Sequence, residues 1–286
     1  MENIVIRNCV QIKGHGEQVI LFAHGFGCDQ QMWQYIQPHF EQHYKLIYFD
    51  YVGSGRSDRL AYDSHKYASL TGYAQDVKDI IQSLQLENII FVGHSISSMI
   101  GLLAAIEMPE KFQKLIMIGP SPCYLNDGEY KGGFNKEDIE ELLTMMEMNF
   151  TGWASYMAPM VSDDSSPIFA EQLEETFVSG NPRIARQFAE VTFYSDYRQK
   201  LQELTVPTLI IQCSDDSIVP IHVGQYLHEH LTNSELVIME AKGHYPHISQ
   251  SAETAEIITI YIEKLVTSKT AIEDSKELVA YGKTFE

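Results

Sequence analysis

Three kinds of side chain in this sequence could together move an acyl group: Ser95, a carboxylate from the adjacent pair Asp215-Asp216, and His244. A serine hydroxyl is a poor nucleophile until an imidazole takes its proton. The imidazole in turn needs a carboxylate to hold its tautomer and stabilise its charged form. Ser95 lies in Val92-Gly93-His94-Ser95-Ile96-Ser97, between the strand-like run 88–92 and the helix-like run 98–106. Gly-x-Ser-x-small at such a junction is the pattern of a tight, strained turn that lifts the hydroxyl above a sheet. Residues two away on either side must be small, because strand and helix approach closely there. Gly93 meets this need, whereas Ser97 stands where the strict pattern has glycine. That hydroxymethyl is expected to bear on rate more than on fold.

The other groups follow in a telling order. After the apolar run 208–212 comes Cys213-Ser214-Asp215-Asp216-Ser217-Ile218-Val219-Pro220, and after 235–239 comes Glu240-Ala241-Lys242-Gly243-His244-Tyr245-Pro246-His247. Each candidate therefore sits on a loop after a strand, where ligands and catalytic groups gather in parallel sheets. Gly243-His244 fits the base position, and His247 is expected to start the last helix. Acyl transfer also needs two backbone N–H donors for the developing oxyanion. Ile96, directly after the serine, supplies one. Phe26, in the loop His24-Gly25-Phe26-Gly27 after an early strand, supplies the other, with His24 itself read as structural.

The elements that must position these groups are legible as alternating patterns. Apolar runs at 18–23, 45–50, 88–92 and 115–119 interleave with helical spacing at 70–84, which predicts a parallel sheet covered on both faces. From 126 to 200 the alternation stops and only helices are predicted: 136–149, 153–160, 167–177 and one from Pro182. Asn135 with Asp138 three residues on, and Asn181 before Pro182, supply start signals. Strands at 208–212 and 235–239 and helices at 223–230 and 254–265 then resume the pattern. The expected organisation is an α/β core of 1–121 and 201–266, a helical lid of 122–200 inserted in it, and a loosely attached extension, 267–286.

Composition narrows the class. The 286 residues carry a formal charge of −19, which argues against nucleic acid and anionic membranes as partners. No apolar stretch reaches the ~20 residues of a membrane helix, and the N-terminus lacks a signal-peptide layout, so a cytoplasmic protein is expected. Cys9, Cys28, Cys123 and Cys213 are scattered without metal-ligand spacing and are expected to be buried free thiols. No metal or cofactor is expected. Gly53-Ser54-Gly55 lacks the rest of a phosphate-binding loop and reads as a tight turn.

Over residues 1 to 265 the chain resembles the α/β-hydrolase superfamily. His24-Gly25-Phe26-Gly27, Phe49–Asp58 and Gly93-His94-Ser95 are similar to one branch, which holds bacterial stress regulators of the RsbQ type and the plant karrikin and strigolactone receptors. Gly119–Asp127 and Ile184–Ala189 are most similar to the RsbQ type. Asp216-Ser217-Ile218-Val219-Pro220 matches the acid loop of these hydrolases, which selects Asp216 and leaves Asp215 to cap the loop. The resemblance implies a four-helix lid over an apolar pocket lined by Phe26, Phe134, Trp153, Met157, Phe193 and Val219. It implies hydrolysis of a small hydrophobic ester or lactone, and signalling through a PAS-domain protein phosphatase in a sigma-B stress pathway. Dehalogenase and epoxide-hydrolase chemistry are disfavoured, because those relatives carry aspartate at the position of Ser95.

Overall fold

The structure, a computed structural model, describes residues 3–163, 167–264 and 279–280. Its strands are β1 Gln11–Lys13, β2 Val19–Ala23, β3 Lys45–Tyr48, β4 Ile89–His94, β5 Phe112–Ile118, β6 Thr208–Asp215, β7 Ser234–Lys242 and β8 Val279–Ala280. The α-helices are α1 Ile4–Arg7, α2 Leu70–Ser83, α3 Ile96–Glu107, α4 Lys136–Met148, α5 Phe150–Val161, α6 Pro167–Ser179, α7 Pro182–Phe193, α8 Ile221–His230, α9 Pro246–Ser249 and α10 Ser251–Glu263. One sheet runs in the order β1-β3-β2-β4-β5-β6-β7-β8. β1 is antiparallel to β3, and every other pairing is parallel. β2 and β4 are buried along their whole length, which is why they read as unbroken apolar runs rather than alternating ones.

This topology decides where chemistry can happen. Parallel strands open their carboxyl ends on one edge, so the loops after β2, β4, β5, β6 and β7 converge there. The chain places β3 on one side of β2 and β4 on the other. The resulting switch point lies between the loop that carries Phe26 and the turn that carries Ser95. The motif Phe49–Asp58 serves this edge as a structural clasp. The Asp50 carboxylate accepts from the N–H groups of Gln30 and Arg56, each at 2.9 Å. Asp76, fully buried on α2, accepts from Val52 N–H at 3.2 Å and from the side chains of Arg7, Lys66 and Tyr67.

Between β5 and β6 the chain inserts α4, α5, α6 and α7. The start signals at α4 and α7 act as the sequence implied. Asn135 and Asp138 form a reciprocal capping box, and Asn181 Oδ1 accepts from the N–H groups of Arg183 and Ile184. α5 begins at Phe150 rather than 153, because Asn149 Oδ1 accepts from Gly152 N–H at 2.9 Å and caps an extra turn. β6 and β7 run three residues past their apolar runs, pairing Asp215 with Lys242 beyond a register shift after Cys213. α1 and β1, too short for periodicity, were not expected. The extension from 267 lies outside the described residues apart from Val279–Ala280, which pair with Val237 and Ile238 of β7. All four thiols are free; Cys28, Cys123 and Cys213 are buried and Cys9 is half-buried. Among the described residues no helix is long and apolar enough to cross a membrane.

Candidate active site

Ser95 occupies the turn between β4 and α3 with φ 55° and ψ −124°. A serine held there stores roughly 1–3 kcal/mol of backbone strain. The turn is fastened by Ser95 N–H, which donates to Ile118 O at 2.7 Å on β5. Gly93 is required beneath it, since a Cβ at that position would lie 2.6 Å from Ser97 O.

The structure brings Ser95, His244 and Asp216 into one line. Ser95 Oγ lies 2.8 Å from His244 Nε2, and His244 Nδ1 lies 2.8 Å from Asp216 Oδ2. An ionised carboxylate only accepts, so the imidazole proton belongs on Nδ1 and Nε2 is left to accept from the serine hydroxyl. Asp216 Oδ1 accepts from the N–H groups of Ile218 and Val219 at 2.8 and 3.1 Å. The loop-capping role expected of Asp215 thus falls to Asp216 itself, and Asp215 is exposed. The register shift just before Asp216 is the kind of irregularity that re-aims a side chain next to a site. Gly119, at φ +58°, leaves room for the imidazole: a Cβ there would lie 3.0 Å from His244 Cε1.

The oxyanion candidates flank the serine. Ile96 is the first residue of α3, so its N–H has no intrahelical partner and lies at the positive end of the helix dipole. On the other side Gly25 packs against the turn, with an added Cβ 2.5 Å from His94 Nδ1 and 3.4 Å from Ser95 Cβ. The Gly25–Phe26 peptide therefore lies beside the nucleophile.

Above this line is an apolar chamber. Phe26, Trp153, Met157 and Phe193 wall it, together with Val161, Phe177 and Ile218. Trp153, Met157 and Val161 recur every four residues on one face of α5, a signal the sequence offered for Val161 as well. Phe134 and Val219 do not line the chamber. Phe134 stands behind Phe193, ring centroids 5.6 Å apart, because its backbone, ahead of α4, is bridged to Leu125 and bonded to Tyr124 and Asn126. Val219 is fully buried within the acid loop, where its carbonyl accepts from Gln212 Nε2 at 2.8 Å. Tyr124 was not anticipated. It follows β5, and its hydroxyl lies 3.3 Å from Ser95 Oγ. The rule that placed the other groups after parallel strands would have found it.

The insertion is tied directly to this line. His244 N–H donates to Val161 O at 2.9 Å, and Ser217 Oγ donates to Met160 O at 2.8 Å, so the base and acid loops grip the end of α5. His94 Nε2 donates to His244 O at 2.8 Å, fastening the base loop to the elbow. Cys28 is buried against Tyr245, and burial pushes its thiol up to about 12, which keeps it protonated at neutral pH.

Two further imidazoles are buried beside His244. Burial, then the neighbouring His247 and His244, pushes His94 well below the usual histidine range. Burial, then His244, pushes His247 down to about 3. His247 belongs to α9 and packs on Trp33 with ring centroids 4.6 Å apart. Both imidazoles are neutral in the folded protein, whereas the unfolded chain protonates them near pH ~6.5. The unfolded state then binds more protons in acid, so this stability is complete above about pH 6.5 and falls below it. His247 alone should lower stability by about 1.4 kcal/mol for each pH unit below ~6. Urea midpoints are expected to drop from pH 7.5 to pH 5.5, and less steeply in His247→Gln; equal midpoints at both pH values would contradict this.

A strained serine after a central strand, a histidine and an aspartate after later ones, and helices inserted over them are the marks of one class. The Alpha/beta hydrolase family pattern matches residues 20–257, and the chain belongs to that family. It is 40% identical over 242 residues to the karrikin insensitive 2 receptor CA of Petunia hybrida, covering 84% of this chain and 90% of the relative. It is 37% identical over 257 residues to strigolactone esterase D14 of Arabidopsis thaliana, covering 90% and 96%. The solved structure of a hydrolase from Oleispira antarctica matches with a TM-score of 0.90 and 40% identity, over 92% of this chain and 97% of that one.

Proposed function

We propose that this protein is a serine hydrolase of small apolar esters or lactones. The observation that carries the reading is the continuous hydrogen-bonded line Asp216–His244–Ser95 ending in an apolar chamber. Ser95 Oγ attacks the carbonyl as His244 Nε2 takes its proton, with Asp216 stabilising the imidazolium. The N–H groups of Phe26 and Ile96 hold the oxyanion. His244 then passes the proton to the leaving oxygen, and water, activated by the same imidazole, releases the acyl group from Ser95. No step calls for a metal or cofactor.

The chamber favours an uncharged acyl group, since a carboxylate there would be stripped of water without a cationic partner. p-Nitrophenyl acetate is therefore expected to be hydrolysed at least about 100-fold more efficiently, in kcat/KM, than p-nitrophenyl succinate. Equal efficiencies would contradict an apolar substrate class.

The finer reading is a regulator of the RsbQ type, in which turnover signals through a PAS-domain phosphatase of a bacterial sigma-B stress pathway. It rests on the resemblance carried by Gly119–Asp127 and Ile184–Ala189. A second reading, a ligand sensor with incidental turnover, is favoured by the relatives named as receptors and by the bonds that join α5 to His244 and Ser217. Failure of a tagged chain to retain such a phosphatase would favour a metabolic esterase instead.

A further inference from the structure

Ser97 is fully buried in the first turn of α3, and its hydroxyl points away from the chamber into a polar knot. It donates to the carbonyl of His24 and lies 2.9 Å from the Tyr51 hydroxyl. A serine has one proton to give, so Tyr51 O–H must donate to Ser97. Beside them, Tyr51 N–H donates to His24 Nε2 at 3.3 Å. That bond places the His24 proton on Nδ1, which donates to the Gly25 carbonyl at 2.9 Å. Two consecutive carbonyls of the loop after β2 are thereby held from behind, one by Ser97 and one by the His24 ring.

The second carbonyl shares its peptide plane with the N–H of Phe26. Across a trans peptide the two groups point in opposite directions, so fixing one aims the other. We propose that Ser97, backed by Tyr51, is a positioning residue that acts through His24: it fixes the His24 carbonyl, and the His24 ring, held in turn by Tyr51 N–H, fixes the Gly25 carbonyl and so sets the aim of the Phe26 N–H toward the oxyanion. This rests on the oxyanion role assigned to that N–H above. It gives position 97 a task glycine cannot perform: anchoring the oxyanion loop to the helix that bears the nucleophile. A packing role alone would affect stability; a positioning role affects the stage at which the carbonyl oxygen carries charge.

The test compares Ser97→Ala and Ser97→Gly with the parent chain, the glycine variant being one the strict elbow pattern accommodates. Three quantities are read: kcat and KM for p-nitrophenyl acetate, the inhibition constant of methylboronic acid, which forms a tetrahedral anion on an activated serine, and the thermal midpoint. Losing an oxyanion donor outright costs about 10²–10³ in kcat. A donor left in place but loosened is expected to cost about 10-fold or more, with KM within about twofold and boronate affinity weakened by a similar factor. Tyr51→Phe, which leaves the Ser97–His24 bond intact, is expected to show the same pattern more weakly. Unchanged kcat and boronate affinity in a folded Ser97→Gly protein would overturn the inference. A parent chain that neither turns over the ester nor binds the boronate would count against the hydrolase reading itself.

Discussion

Ser95→Ala is expected to lower kcat for p-nitrophenyl acetate by about 10⁶-fold, with ligand affinity nearly unchanged. The expectation follows from how little else in the chamber can attack a carbonyl. Cys28 is protonated and buried against Tyr245. Burial also pushes the Tyr124 hydroxyl, 3.3 Å from Ser95 Oγ, well above the usual tyrosine range, so it stays neutral. What remains is attack by water, assisted only by the oxyanion donors and by orientation. The fold should tolerate the change, because the turn is fastened by the Ser95 backbone N–H rather than by its side chain. The same variant separates hydrolase from sensor. Loss of both turnover and downstream signalling supports a catalytic signal, and retained signalling would show that catalysis is not needed for it. Stopped-flow hydrolysis beside calorimetric ligand binding gives the first two quantities.

Asp216→Asn is expected to lower kcat by about 10⁴-fold without unfolding the loop. The two oxygens of Asp216 have separate tasks. Oδ1 accepts from Ile218 and Val219 N–H, and an asparagine oxygen can continue to do so. The amide nitrogen then faces His244 Nδ1, where it can only donate. That reverses the tautomer, putting the proton on Nε2, where it can no longer accept from Ser95. Asp215 cannot compensate, since it is exposed at the end of β6. Asp216→Ala should behave differently, losing loop stability as well as rate, because both capping bonds disappear. Comparable stability of the two variants, measured by urea denaturation, would contradict this division of labour.

The difference between Asp215 and Asp216 also shows where sequence reading reaches its limit. Strand-then-loop order placed Ser95, the aspartate pair and His244 on one edge, because parallel pairing leaves little choice of side. Which neighbour faces the imidazole depends on the register shift after Cys213; no periodicity records that, and only the likeness of Asp216–Pro220 to the acid loop of these hydrolases picks out Asp216. The inserted helices were legible from Asn135, Asn181 and Pro182, local signals that cap a helix wherever it packs. Their inward faces were only partly so. Trp153 and Met157 line the chamber, but Phe134 does not, because it lies ahead of α4 in a segment bridged to Leu125, a pairing that helical periodicity does not record. Ser97 looked like a defect in the elbow, since its partners, the carbonyl of His24 and the hydroxyl of Tyr51, lie 73 and 46 residues away in the chain.

The central claim is that Ser95 is a nucleophile activated by His244. Labelling the native protein with a fluorophosphonate, then locating the adduct by peptide mass spectrometry, tests it most directly. A single adduct on Ser95, strongly reduced in His244→Ala and absent after denaturation, is the expected result. No adduct on native protein, or an adduct on another residue with Ser95 unmodified, would contradict it.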